Sequence, residues 1–225
     1  MCGRYVLHSS THEIQARFGL SETIHVVEPR YNAAPTQQLP VIVQRGAERR
    51  MKWMRWGLVP SWAKAINPNV STFNARAEGI SEKPMYRGPI RRQRCLVPAD
   101  GFYEWHAEGT KKQPYFIHRA DDALFAFAGL YDRYRQPDGT DLWSYTIITT
   151  EPNAEIAPLH HRMAVILRPE NEEEWLAPDI TDPMQVARLL RPYLDGELAV
   201  YPVSSRVNNA RLDGPEMIAP IGHML

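Results

Sequence analysis

The stretch RCLVPADGFYEW, residues 94–105, indicates a fold built on β-strands, and the other predicted elements lie on both sides of it along the chain. Its first half is an apolar run that favours a β-strand. The central Pro-Ala-Asp-Gly segment is typical of a turn, because these residues favour the backbone angles and local hydrogen bonds that turns need. The aromatic residues that follow favour a second short strand. We therefore predict a strand, a turn and another strand here.

Further strands are predicted on both sides of this stretch, and short helices lie around them. The strand predictions cover residues 39–45, 51–60, 114–120, 123–134, 142–150, 163–167 and 198–204. The helix predictions cover residues 12–20, capped by Thr11, 169–176 and 182–194, with a short helix or turn at 152–158. Many irregularly spaced strands with few helices indicate one α+β domain, residues 1–225, around a closed or strongly curved sheet.

Composition excludes several classes of protein. The chain has 225 residues, of which 44% are hydrophobic, so it can bury a substantial core. We find no apolar run long enough for a transmembrane helix and no secretory signal pattern at the start. Two cysteines, Cys2 and Cys95, suit a reducing cytosol, so we expect a cytoplasmic protein. The His and Cys residues lack a ligand spacing that we would assign to a metal, and no cofactor motif is present.

Charge is distributed unevenly along the chain. The 26 Lys and Arg balance 26 Asp and Glu overall, yet residues 45–94 hold twelve basic and only three acidic residues. This asymmetry favours an acidic partner for the basic half. An ordinary solvated surface with ion pairs explains it about as well.

The first candidate for chemistry is Cys2, directly behind the initiator methionine. Removal of Met1 would leave an α-amine and a thiol on adjacent carbons, with ordinary pKa values of about 7.7–8.0 and about 8.5. Such a 1,2-aminothiol can attack an acyl carbon, or condense with an aldehyde to close a thiazolidine ring. The alternative is a cysteine that acts as a small hydrophobic residue.

Three polar stretches supply further candidates. Asn74 offers an amide that can hold an amine, although it could equally cap a helix. Glu104 lies between two aromatic residues, which would raise its pKa if it faces inward; strand alternation could instead turn it outward. His160 and His161 precede Arg162, and a histidine there can move protons or simply support the structure.

The motifs taken together resemble the SOS-response-associated peptidase (SRAP) family, from Met1 to about Val207. The motifs that carry the resemblance are, in chain order, MCGRY, RYNAAP, WGLVPSWA, FNARAE, PADGFYEW, KQPYFIHR and HHRM. Each is unspecific alone, but their combination and order are highly specific. The resemblance implies a single α+β domain around a curved, barrel-like mixed β-sheet with short peripheral helices and a DNA groove.

The resemblance also implies an activity and the residues that perform it. Members form covalent links to abasic sites in single-stranded DNA and so shield them, which makes such DNA the expected partner of this chain. Cys2 would be the nucleophile, Asn74 would orient its amine, Glu104 would act as general acid and base, and His160 would assist opening of the sugar. The implied DNA contacts are Arg4, Arg76, Arg162, Thr149, Tyr103, Trp62, Met85 and Pro40. No metal, cofactor or membrane is implied, and we expect a monomer.

Two positions depart from the family pattern, and two other functions compete. Ala164 replaces a common proline, and His161 stands where an acid is common. An N-terminal-nucleophile peptidase or amidohydrolase would also use Cys2, and a non-catalytic single-strand binder would not need it. An imine formed at the abasic sugar would also open a lyase route to strand cleavage. Crosslinking requires that Cys2 be accessible and close to the amide, the acid and the imidazole.

Overall fold

A computed structural model of the chain describes residues 2–21, 26–67, 71–109 and 111–222. Within these ranges it has thirteen β-strands and four short α-helices, which confirms the α+β class and the central role of the sheet. The helices are α1 (Thr11–Phe18), α2 (Pro89–Arg92), α3 (Pro169–Leu176) and α4 (Pro183–Ala187). The strands are β1 (Tyr5–Leu7), β2 (Arg30–Ala33), β3 (Gln38–Arg45), β4 (Glu48–Trp56), β5 (Asn74–Arg76), β6 (Arg94–Ala99), β7 (Gly101–Glu108), β8 (Lys111–Arg119), β9 (Phe125–Arg135), β10 (Asp141–Thr150), β11 (Met163–Ala164), β12 (Ile166–Leu167) and β13 (Leu198–Pro202).

A closed barrel forms the centre of the molecule. In the described part of the chain its five strands pair in the order β3, β4, β10, β9 and β6, and β6 returns to β3. The β4–β10 pair is parallel and the other pairs are antiparallel, so the barrel is mixed. Strand β5 adds to β10 in parallel, outside this circuit. The predicted curved, barrel-like mixed sheet is therefore confirmed.

A second sheet lies beside the barrel, with the strand order β13, β8, β7, β1 and β2 over the described residues. The turn at Asp100 takes the chain from β6 in the barrel to β7 in this sheet. The Asp100 carboxylate accepts hydrogen bonds from the backbone of His8 and Ser9, at 2.6 and 2.8 Å. Gly101 is required because a Cβ there would lie 2.3 Å from the ring of Phe116. The predicted strand–turn–strand is thus confirmed, and its two strands belong to different sheets.

Aromatic packing draws the beginning of the chain into the protein. The Tyr5 ring lies 5.1 Å from that of Trp56, and its hydroxyl is 2.9 Å from the Tyr145 hydroxyl. All three side chains are fully buried, and Cys2 belongs to the same core cluster. Since a buried tyrosine pair is costly unless each hydroxyl has a partner, this contact fixes β1 and with it the position of residue 2.

Helix ends and short strands account for the local differences from prediction. The N-cap of α1 is Ser10, not Thr11, because Ser10 and Glu13 form a capping box. Helix α4 ends at Ala187, well short of residue 194. The strand predicted at 163–167 is divided, because β11 pairs with β10 whereas β12 pairs with β9. The segment at 152–158 forms turns.

Candidate active site

Cys2 is fully enclosed by the fold in a chain that still carries Met1. Its thiol donates to the Arg4 carbonyl oxygen at 3.7 Å. Burial raises the pKa of this thiol, and the charge of Glu104 raises it further. The burial of Cys2 differs from the accessible residue that we expected. Its cause is the position of β1, because this strand pairs with β7 and β2 and the residues before it therefore lie inside the protein. Met1 itself lies outside the described residues.

Asn74 lies beside Cys2 because β5 begins at this residue. Its Nδ2 donates to the Cys2 carbonyl oxygen at 2.8 Å. Its Oδ1 is buried and has no hydrogen-bond partner within the described part of the chain. The alternative of an asparagine that caps a helix is wrong, since residues 74–76 form a strand opposite β10. One side of the amide thus binds residue 2 and the other can accept an N–H.

Glu104 lies next to the same segment. The backbone N–H of Tyr103 donates to the Arg4 carbonyl at 3.1 Å, which aligns the start of β7 with residues just before β1. The Glu104 side chain is 1% exposed, so the outward alternative is wrong. Burial raises the pKa of this carboxyl to about 7, although the positive charge of the chain's amino terminus acts against the shift. A carboxyl with this pKa can both donate and accept a proton near neutral pH.

His160 is held by the backbone of Arg162. Its Nδ1 lies 3.0 Å from the Arg162 nitrogen and 3.1 Å from the Arg162 carbonyl oxygen. The His161 ring stacks on it at a centroid distance of 4.3 Å. Burial lowers the pKa of His160 to about 4, and nearby positive charge, first that of the amino terminus, lowers it further. The imidazole is therefore neutral at physiological pH and can act as a base.

Arg162 is already engaged by an acidic side chain. Its guanidinium forms a two-pronged ion pair with the Glu78 carboxylate, at 2.7 and 2.8 Å. One of the same nitrogens donates to the Thr149 carbonyl at 2.7 Å. The Arg162 side chain is 11% exposed. A phosphate at this position would have to compete with Glu78, which differs from the expectation of an open phosphate contact.

Two other arginines, Arg76 and Arg4, differ in how far they are exposed to solvent. Arg76 is exposed at the end of β5, and within the described residues its guanidinium has no partner. Arg4 is half-buried and donates to the Gly3 carbonyl at 3.0 Å, and burial lowers its pKa. Arg76 is thus the more accessible cation beside Asn74.

A large, mostly apolar cavity of about 850 Å³ opens next to β5. Trp62 and Met85 both line it, as the resemblance implies, and Trp62 is 62% exposed. Phe73 lines it as well and directly precedes Asn74, so the cavity adjoins the polar site along the chain. Positive charge at the edge of the cavity, together with the exposed indole of Trp62, suits a single nucleic-acid strand whose bases can stack on the ring.

Three predicted DNA contacts lie elsewhere. Tyr103 is fully buried in the second sheet's core, where its hydroxyl donates to the Tyr31 carbonyl at 2.7 Å. Thr149 is also fully buried, and Pro40 is buried in β3 opposite Trp53. Their burial differs from the exposure that a DNA contact needs, and their assignment as DNA contacts stays a prediction. Pro35 lines the cavity instead; the RYNAAP motif contained this signal.

The described residues contain no group of three His, Cys, Asp or Glu side chains placed to hold a metal ion. In the same part of the chain, every helix is too short or too polar to cross a lipid bilayer.

Comparisons with known proteins agree with the motif pattern. A family model described as SOS response associated peptidase (SRAP) matches residues 1–210. The abasic site processing protein YoqW of Bacillus subtilis is 44% identical, covering 97% of this chain and 99% of the relative. The abasic site processing protein HMCES of Gallus gallus is 36% identical, covering 86% of this chain and 66% of the relative.

Solved structures share the same architecture. A protein from Bacteroides thetaiotaomicron has a TM-score of 0.86 and 28% identity, with 98% of this chain and 100% of that chain covered. A protein from Bordetella bronchiseptica has a TM-score of 0.78 and 26% identity, with 90% of this chain and 100% of that chain covered.

Proposed function

Because this chain belongs to the SOS response associated peptidase (SRAP) family, we propose that it acts on abasic sites in DNA, as the names of its relatives state for them. More specifically, we propose that Cys2, once Met1 is removed, joins covalently to the abasic sugar in single-stranded DNA. The observation that carries this proposal is the convergence on residue 2 of the Asn74 amide and the Glu104 carboxyl.

The proposed reaction starts from the ring-opened sugar, which carries an aldehyde at C1′. The α-amine of Cys2 adds to C1′, and loss of one water gives an imine. The Cys2 sulfur then adds to the same carbon while the thiol proton passes to the nitrogen, and a five-membered thiazolidine closes. Glu104 supplies the proton that lets the hydroxyl leave as water and afterwards accepts one, which a pKa of about 7 permits.

Asn74 and His160 have separate roles in this scheme. Asn74 holds the Cys2 carbonyl with its Nδ2, and its open Oδ1 accepts an N–H of the new α-amine, which directs the nitrogen lone pair at the aldehyde. His160, neutral at physiological pH, takes the proton of the C1′ hydroxyl as the C1′–O4′ bond breaks, and the protonated imidazole gives that proton to O4′, which becomes the C4′ hydroxyl.

Crosslinking requires an accessible Cys2, and in the chain that carries Met1 this residue is fully buried, so the proposal requires that removal of Met1 opens the α-amine of residue 2 to the sugar. While Met1 is present, the nitrogen of Cys2 is an amide and cannot form an imine. The thiol is enclosed and its pKa is raised, so it is a poor nucleophile by itself. The imine carbon is the electrophile in the ring-closing step, and it is bonded to the nitrogen of Cys2 itself. It therefore lies next to the thiol of the same residue, which does not have to reach an electrophile in solution.

A denaturing gel tests the proposal directly. Purified protein, first shown by intact mass to lack Met1, is incubated with a single-stranded oligonucleotide that carries one abasic site. We expect a band of reduced mobility and a complex mass one water below the sum of the two reactants. The matched control is the same oligonucleotide with a reduced sugar, which has no aldehyde. Absence of the covalent band with the aldehyde substrate would contradict the proposal.

The same experiment separates the competing functions. An N-terminal-nucleophile peptidase or amidohydrolase would cleave a peptide or glutamine amide and form no DNA adduct; the family's description contains the word peptidase. A non-catalytic binder would shift the oligonucleotide on a native gel only. Strand cleavage without a retained adduct would indicate a lyase that releases its imine.

The Glu78–Arg162 ion pair leads to a prediction about affinity for DNA. In Glu78→Gln the guanidinium loses its carboxylate and can pair with a phosphate instead. We expect tighter binding of single-stranded DNA at low salt, with the slope of log affinity against log salt steeper by about one. Fluorescence anisotropy at several salt concentrations measures this. Glu82→Gln, an exposed carboxylate nearby in the same segment, is the control. An unchanged slope in Glu78→Gln would place Arg162 outside the DNA path.

A further inference from the structure

A tight turn between β2 and β3 has an unusual residue at its third position. The turn spans residues 34–37, and the Gln37 N–H donates to the Ala34 carbonyl at 3.3 Å. Pro35 occupies the second position and Thr36 the third, with φ of +76° at Thr36. A proline followed by a positive φ is the pattern of a type II turn, in which the third residue is normally glycine or asparagine.

Threonine is a costly residue in this conformation. A positive φ brings Cβ against the neighbouring carbonyl oxygen, and a β-branched side chain adds crowding. Within the described residues the only other non-glycine with positive φ is Asp122, at +56°, a residue type that adopts this region more readily. Strained backbone of this kind is found chiefly where it serves a functional site.

The surroundings prevent the turn from relaxing. The Thr36 N–H donates to the Trp56 carbonyl at 2.8 Å, and the Trp56 N–H donates to the Gln37 carbonyl at 2.9 Å. The Gln37 side chain accepts from the Ala34 N–H at 3.0 Å. These bonds tie the turn to the end of β4 and hold the Thr36 backbone in its positive-φ conformation.

The Thr36 side chain is placed at the cavity that contains Trp62. Thr36 is exposed and lines the cavity together with Arg55. Within the described part of the chain its hydroxyl has no hydrogen-bond partner. The positive φ therefore serves no hydrogen bond of the Thr36 side chain within the described residues, and the hydroxyl is available to a ligand that enters the cavity.

We propose that Thr36 is a DNA-binding residue whose hydroxyl donates to a phosphate oxygen of the single strand in this cavity. The inference rests on the proposed function for the identity of the ligand as DNA. Hydroxyl side chains commonly make such phosphate contacts, which position a strand without reading its sequence. Arg55, on the wall of the same cavity, provides positive charge beside the contact.

Two substitutions separate the hydroxyl from the strain. Thr36→Gly removes both, and we expect its melting temperature to rise by about 2–4 °C and its affinity for DNA to fall about tenfold. Thr36→Ser keeps the hydroxyl and should bind within about twofold of the wild type. Asp122→Gly relieves a positive φ far along the sequence and should leave DNA binding unchanged.

The probe is an undamaged, fluorescently labelled single-stranded oligonucleotide, measured by anisotropy, with thermal unfolding of each variant alongside. Wild-type affinity in Thr36→Gly, or a loss in Thr36→Ser as large as in Thr36→Gly, would overturn the inference. Because the undamaged strand has no aldehyde, the result does not depend on covalent chemistry. Failure of the crosslinking reaction and failure of this contact are therefore distinguishable.

Discussion

Replacing Cys2 with alanine is expected to abolish the covalent product with abasic DNA, a loss of at least about a thousandfold. The substitution leaves an α-amine that can form a reversible imine, but no sulfur to close the ring. Denaturing gels after an acid or heat step, which hydrolyses a simple imine, measure the effect. Binding of undamaged DNA should stay within about twofold, because the thiol is enclosed and donates its hydrogen bond inside the protein, to the Arg4 carbonyl.

The chain supplies a matched control for this substitution. Cys95 is also a free, fully buried cysteine whose pKa is raised by burial, and it lies on β6 within the barrel. Cys95→Ala should keep the covalent product if the variant remains folded, which its thermal unfolding would establish. A stable adduct in Cys2→Ala would remove Cys2 from the mechanism, and loss of the adduct in folded Cys95→Ala would show that the effect is not specific to residue 2.

Glu104→Gln is expected to slow adduct formation by about a hundredfold or more, the usual effect of losing a general acid. Glutamine keeps the size and polarity of the side chain but cannot release or accept a proton in this pH range. In the wild type the rate should change through a pH near 7, where the carboxyl titrates. Single-turnover gels at several pH values measure both effects, and a variant with wild-type rates would contradict the assignment.

The same substitution should make the protein more stable in alkaline solution. The pKa of Glu104 is raised in the folded protein from 4.5 to about 7, so folding favours the protonated carboxyl. This contribution is full below the unfolded pKa and is lost as pH rises through the folded one. Above pH 7 the charged, buried carboxylate costs roughly 3 kcal/mol. Glu104→Gln avoids that cost, so its free energy of unfolding should exceed that of the wild type at pH 8 and match it at pH 4.5.

Glu172 is the control for this effect of pH. It is also a carboxylate that is 1% exposed, but Arg17 binds it at 2.6 Å and Arg49 at 3.5 Å. Glu172→Gln breaks a buried ion pair and should lower stability at pH 8, by about 3–5 kcal/mol. Denaturant unfolding of both variants at both pH values decides the matter. A Glu104→Gln variant destabilised at pH 8 would show that the carboxylate is structural.

The sequence predicted the sheet better than it predicted which side chains face the site. Strand patterns around residues 94–150 are strong, so the barrel strands β6, β9 and β10 were predicted close to their observed bounds. Tyr103 and Glu104 are neighbours in β7, and neighbours in a strand point to opposite faces. Both were expected at the site, yet only Glu104 faces Cys2, whereas Tyr103 enters the other core. The local sequence does not show which face of β7 points towards which core, because that depends on how the two sheets pack.

The resemblance names polar site residues that lie in specific motifs, whereas its apolar contacts lie in less specific stretches. Asn74 and Glu104 are each fixed by the residues around them in FNARAE and PADGFYEW. Proline occurs nineteen times in the chain, so its identity alone could not decide between Pro35 and Pro40. The structure favours Pro35, which lines the cavity, over Pro40, which is buried in β3. The roles of the polar residues, the monomeric state and the single-domain boundary stay predictions.

The burial of the Cys2 thiol protects it from side reactions before the protein meets an abasic site. Peroxide and small alkylating agents attack exposed thiolates, and a buried thiol with a raised pKa offers them neither exposure nor charge. An unshielded 1,2-aminothiol would be consumed by the free aldehydes of metabolism. In the proposed reaction, β1 keeps the sulfur enclosed until the nitrogen has captured an aldehyde, so selectivity would follow from the order of bond formation.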